Sequence, residues 1–364
     1  MNDIVKILPN FKKFNDYISN VKDNISPIML SGLTDSGKVH FAYSTYFYAE
    51  KPICIITYNE LQAKKIIRNL EYFENNINYF PKKEILAYDY LAESKDITYS
   101  RIACLNEIHK KQAKIIVTTI EAVSQKIIPE DVLYKNILEL KIGDVINLEE
   151  IKQKLVLLGY ERQDVVENKS EFSVRGGIID VAISEKQGIR IELWGDEIDS
   201  IRTFDINTQR SLEKRENIKI YPAHEFLLDK PLEEVAKDIQ DQRDKEEILE
   251  GNFTNKIDKY WNKFYNNPDN TFIDYIKDNY IIFIDEVSKI KARSENVIKD
   301  TKLLMQNLVE KKRYIPELLE KIEDYIEFLD RIKSIQTIYL ENKDIGFVDK
   351  QSMHAKRNGY SFSY

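Results

Sequence analysis

The sequence predicts an α/β protein: a parallel-sheet lobe split around an inserted α+β domain with an antiparallel sheet. Three observations carry that expectation. Continuous apolar, β-rich runs at 27–31, 52–57 and 114–119 alternate with helical patterns, as strands buried on both faces of a parallel sheet do. From Leu140 to Pro222 the strands are separated by glycine-bearing turns instead of long helices. Finally, Tyr280-Ile281-Ile282-Phe283-Ile284-Asp285-Glu286 reads as one more buried parallel strand, which the simplest topology returns to the first sheet. The expected division is 1–128 for the first half of the lobe, 129–222 for the insertion, and 223–364 for a helix-rich second half in which strand 280–286 rejoins the sheet.

The elements follow in order. A helix starting at Asn59 places Leu61, Ile66, Ile67 and Leu70 on one face and leaves Lys64, Lys65 and Arg68 to solvent. In the insertion, Asn147 as a cap, with Glu150 three residues on, opens a helix through Ile151 and Leu155 that stops at Gly159. Strands are expected at 172–175, 178–183, 189–194 and 198–204, broken at Gly176-Gly177, Lys186-Gln187-Gly188 and Gly195-Asp196-Glu197. The stretch bearing Leu303, Leu304, Leu308, Leu318, Leu319 and Ile322 reads as amphipathic helices.

Composition limits the chemistry. The 364 residues carry 54 Lys plus Arg against 61 Asp plus Glu, a net charge of −7, so bulk positive charge is excluded as a grip on nucleic acid. Only Cys54 and Cys104 occur, which argues against a disulfide scaffold, and His40, His109, His224 and His354 are too dispersed for a zinc ligand set; no metal is expected. No signal peptide or membrane span is read, so a cytoplasmic protein is expected.

Two constellations could carry function. Gly32-Leu33-Thr34-Asp35-Ser36-Gly37-Lys38-Val39 lies between a strand and a helix, the context of a phosphate-cradling loop. Its eighth position should be Ser or Thr to ligate magnesium, and Asp35 opposes an anionic phosphate. It is either a retained strand-to-helix turn or a weakened nucleotide site. Asp285 and Glu286 are the residue types that organise magnesium in nucleotide hydrolases. Hydrolysis would also need a second lobe, which nothing after Glu286 supplies, so no ATPase activity is expected of this chain.

The second constellation is in the insertion. Period two sends Ile191 and Leu193 to the core and leaves Arg190, Glu192 and Trp194 on the other face, with Arg175 joining them from the preceding hairpin. Two arginines and an indole on one outer face have the composition of an interface hot spot. Alternatively, Trp194 covers part of the core and each arginine pairs with an acid such as Glu171 or Glu192.

Gly159-Tyr160-Glu161-Arg162, Glu171-Phe172-Ser173-Val174-Arg175-Gly176-Gly177-Ile178-Ile179-Asp180, Gly195-Asp196-Glu197-Ile198-Asp199-Ser200-Ile201-Arg202 and Pro222-Ala223-His224-Glu225-Phe226 resemble the bacterial transcription-repair coupling factor family (Mfd). A related module occurs in the excinuclease component UvrB. The resemblance covers nearly the whole chain and implies the amino-terminal segment of a longer protein. It implies a degenerate RecA/helicase-like, P-loop NTPase-like lobe split around a domain that recruits the excinuclease component UvrA in nucleotide excision repair. Arg175, Arg190 and Trp194 fall on the family's UvrA-binding positions, Trp194 standing where Phe is more usual. RNA polymerase and duplex DNA would be partners of modules absent here, and no cofactor is expected. The interval from Phe80 to Ile115 is too short for the aromatic DNA hairpin of UvrB, and Tyr88 and Tyr90 do not replace it. The alternative is a UvrB-like nucleotide-dependent helicase lobe, carried by Gly32, Gly37, Lys38, Asp285 and Glu286, that needs a second lobe in trans.

Overall fold

The computed structural model describes residues 5–84, 95–225, 227–237, 239, 241–250, 260–310, 317–343 and 349–362; Tyr88, Tyr90 and Phe226 lie outside them. Its strands in chain order are β1 (Ile28–Ser31), β2 (Ile53–Thr57), β3 (Ile77–Phe80), β4 (Ile115–Thr119), β5 (Leu138–Lys141), β6 (Glu161–Arg162), β7 (Glu171–Arg175), β8 (Ile178–Ala182), β9 (Gln187–Trp194), β10 (Glu197–Asp205), β11 (Ser211–Arg215), β12 (Asn217–Ile220), β13 (Ile281–Asp285), β14 (Thr337–Glu341) and β15 (Tyr360–Ser361). The chain divides into two units. One comprises 1–127, 252–263 and 267–364, the other 128–251 with 264–266.

The first unit is built on a parallel sheet in the order β15-β1-β14-β13-β2-β4-β3. Every residue of β1, β2, β4, β13 and β14 is buried, which is why these strands are apolar runs with no alternation. Three helices contribute apolar faces to one core with the strands: Phe14, Tyr17 and Val21; Val39, Phe41 and Ala42; and Ala63, Ile66 and Leu70.

Several local expectations need correction. In the helix Glu60–Leu70, Leu61 is 74% exposed, and Gln62 and Ala63 take the inward face instead. The Asn59 side chain accepts from the Gln62 amide at 2.8 Å and fixes where the first turn starts, so the buried stripe runs through 62, 63, 66 and 70. The tail is not purely helical, because β14 sits between β1 and β13 in the sheet. Its five residues are too few to separate strand from helix by periodicity. β3 has no counterpart among the expected strands; as an edge strand it is only partly buried.

The second unit carries a six-stranded sheet, β11-β10-β9-β8-β7-β6, and a two-stranded one, β12-β5. Pairing is antiparallel except between β6 and β7, so the large sheet is antiparallel with one parallel edge. The helix Leu148–Leu157 begins where expected, with the Asn147 Oδ1 accepting from the Glu149 amide at 2.9 Å. Two-residue turns close the β7–β8 and β9–β10 hairpins, each with glycine first at positive φ, 58° at Gly176 and 64° at Gly195.

Candidate docking face and candidate phosphate loop

Alternation assigns the two faces of the second unit's sheet. Ile179, Val181, Ile189, Ile191 and Ile201 go to the buried side. On the other side, the register lines up Ser173, Asp180, Arg190 and Arg202 across β7 to β10. The adjoining row is Arg175, Ile178, Glu192 and Ser200, and Trp194 pairs with Glu197 at the hairpin end. Trp194 is 83% exposed, so its indole stands in water and does not cover the core.

The two arginines meet on one acid. Arg190 donates from Nε and Nη2 to the Asp180 Oδ1 and Oδ2 at 2.7 and 2.9 Å, and Arg175 donates from Nη2 to Oδ2 at 2.8 Å. The Asp180 side chain is 1% exposed, against 17% for Arg190 and 47% for Arg175. A bidentate pair on a buried carboxylate fixes the guanidinium plane as well as its position. The hydrogen bond to Asp180 also holds the Arg190 pKa above the usual arginine value. Beneath it lies the Phe204 ring, its centroid 4.8 Å from the guanidinium carbon. Glu192 accepts from Ser200 Oγ at 2.8 Å and from Arg202, and these bonds, Ser200 first, hold its carboxyl below the usual range. The face therefore holds an arginine pair in fixed orientation on one shared buried acid, beside an exposed aromatic.

In the first unit, Thr34 caps the helix Asp35–Ala49 by accepting from the Gly37 amide at 3.2 Å, a contribution of about 1 kcal/mol. Lys38 is buried and reaches the end of β13. Its Nζ donates to Asp285 Oδ1 at 2.8 Å and to Glu286 Oε1. Burial pulls the ammonium pKa down, but the two carboxylates outweigh it and hold the value above the usual lysine range. Asp285 also accepts from Thr57 Oγ1 at 2.8 Å and Gln62 Nε2 at 3.3 Å, and Glu286 from the Asn342 amide at 2.9 Å. Asp35 binds Lys65 at 2.5 Å, the leading reason its carboxyl lies below the usual range. Val39 is packed in the core. At Gly32, φ is +79° and a Cβ would fall 1.8 Å from the Phe362 carbonyl oxygen, because the Phe362 amide bonds Ser31 O at 2.9 Å. Gly32, Gly37, Lys38, Asp285 and Glu286 thus share one place in the lobe, with the lysine's charge engaged by the protein's own acids.

Two residues of these sites went unread in the sequence. Asp180 was detectable as an acid inside the apolar run Ile178-Ile179-Asp180-Val181-Ala182. Glu341 ends β14 as Asp285 ends β13. It is fully buried; Oε1 accepts from the Val287 amide at 2.8 Å and Oε2 has no hydrogen-bond partner. Burial, aided by Glu286 and Asp285, pushes its carboxyl up to about 7. Among the described residues no group of three or more His, Cys, Asp or Glu is placed to hold a metal ion, and no helix is long and apolar enough to cross a membrane.

Residues 138–226, which span the six-stranded sheet and its docking-face candidates, match the UvrB interaction domain family. Over most of its length the chain is similar to transcription-repair-coupling factors. The protein from Bacillus subtilis is 28% identical over 344 residues, covering 87% of this chain and 29% of its own length. That of Staphylococcus epidermidis is 28% identical over 310 residues, covering 78% and 26%, and that of Staphylococcus aureus 26% identical over 321 residues, covering 82% and 28%. These findings bear out the resemblance read from the sequence motifs. The chain spans less than a third of the length of the curated relatives it matches.

Proposed function

We propose that the outer sheet face of the second unit recruits UvrA to transcription-blocking DNA damage in nucleotide excision repair, with Arg175, Arg190 and Trp194 as its binding residues. The observation that carries this reading is the exposed Trp194 indole on the same face as two arginines clamped by one buried acid. Aromatic and arginine side chains held in place are the residues on which interface energy concentrates. In this reading the first unit, without the 223–251 stretch that the sequence division gave to it, is a RecA/helicase-like lobe whose phosphate loop has lost its function, and the chain performs no chemistry of its own. RNA polymerase and duplex DNA would be engaged by further modules of the longer relatives. Calorimetric titration of UvrA with the chain tests the proposal. Trp194→Ala or either arginine to Ala weakens binding by about 2 kcal/mol or more, and unchanged affinity in all three variants refutes it.

The second reading, a nucleotide-dependent lobe completed by another chain, draws on the meeting of Lys38 with Asp285 and Glu286. A fluorescent ATP analogue with magnesium separates the two. Tight binding lost on Lys38→Ala favours the enzymatic reading, and no binding leaves recruitment.

A further inference from the structure

Trp194 has an apolar companion on the other side of its hairpin partner. The segment after β5 lies beside the start of β10: the Ile198 amide bonds Asp144 O at 2.9 Å and the Ile146 amide bonds Asp196 O at 2.8 Å. These bonds bracket a bridge between Val145 and Glu197, and Glu197 in turn pairs with Trp194. Residues directly opposite across a sheet point to the same side, so Val145, Glu197 and Trp194 form one row. Two strand spacings put the valine and the indole about 10 Å apart. Val145 is 76% exposed. It is a β-branched residue left in water on a segment tied down at both sides, rigid at χ1 and with little entropy to lose on docking.

We infer that the docking face extends across the β9–β10 hairpin to Val145, which seats against an apolar patch on the same partner that takes Trp194. The occupant is the protein partner that takes Trp194 in the recruitment reading, on which the inference rests. The extension carries that face across the hairpin and makes the hairpin end a two-point apolar clip, with Glu197 between the points.

The test uses the chain's own cysteine inventory. Cys54 and Cys104 are both buried with their thiols pushed up, so Val145→Cys in the full chain introduces the readily reactive thiol. Its rate of maleimide modification falls at least tenfold when UvrA is added at saturating concentration, while Leu61→Cys, 74% exposed in the first unit, keeps its rate. Val145→Asp, placing a carboxylate beside Glu197, weakens binding at least tenfold. Full modification of Cys at 145 in a complex that Trp194→Ala still abolishes overturns the extension and leaves recruitment standing. Equal protection at 61 and 145 overturns it as well. No binding loss in Trp194→Ala or the arginine variants is failure of the recruitment reading itself.

Discussion

Replacing Asp180 with Asn removes one charge and leaves the shape. The amide keeps one oxygen for Arg190 and turns an NH2 toward guanidinium donors where the other oxygen accepted from both Arg190 and Arg175. Charge-assisted bonds contribute about 1.5 kcal/mol each, and the two to Arg190 are largely shielded. The single bond to the half-exposed Arg175 adds well under 1 kcal/mol. With the Oδ1 bond to Arg190 kept by the amide oxygen, the expected loss is about 2 kcal/mol in the stability of the second unit. If the chain recruits UvrA as proposed, freed rotamers cost a further penalty on docking of about 1 kcal/mol per arginine, and affinity for UvrA falls by about 2 kcal/mol, roughly 30-fold. Urea unfolding followed by far-ultraviolet circular dichroism reads the first quantity. A cycle with Arg190→Gln shows non-additivity of about 2 kcal/mol. A stability change under about 0.5 kcal/mol, or strictly additive losses, would refute the clamp.

Two other outcomes follow from the first unit. Lys38→Ala strands two carboxylates, one of them fully buried, and lowers lobe stability by about 3 kcal/mol or more; a thermal melt that does not move contradicts this. Glu341 has a folded pKa of about 7 against an ordinary value of 4.5, so folding takes up a proton. Stability is then full below about pH 4.5 and declines as pH rises to about 7. Glu341→Gln keeps an acceptor for the Val287 amide and removes that slope, gaining up to about 3 kcal/mol above pH 7 relative to the parent chain. Parallel denaturant curves of the two proteins from pH 5 to 8 decide it, and a constant difference between them counts against the buried proton.

What the sequence made legible was whatever a single strand or turn determines by itself. Trp194 and the arginines follow from alternation along β9 and β7, and the Asn147 cap from its local residue types. The clamp at Asp180 needed cross-strand register, which places 180 opposite 190 and is set by turn geometry and not by composition. In the lobe, the spacing from Gly32 to Lys38 and the acids of 285–286 marked the loop. That Lys38 is engaged by those acids depends on β13 standing two strands from β1, a separation of 247 residues along the chain made short only by the sheet. Leu61 shows the opposite failure: a hydrophobic pattern read over four positions loses to the phase fixed by the capping residue.

The placement of β14 bears on how such a chain emerges from the ribosome. β1 has β14 and β15 as its only sheet neighbours among the described strands. Its backbone amides and carbonyls therefore wait through the synthesis of some three hundred residues before meeting their partners, whereas β5 to β12 can pair as soon as they have been translated. A nascent polypeptide of this kind would complete the sheets of its second unit first and carry an unclosed lobe outside the exit tunnel, a substrate for holdase chaperones until β14 and β15 arrive.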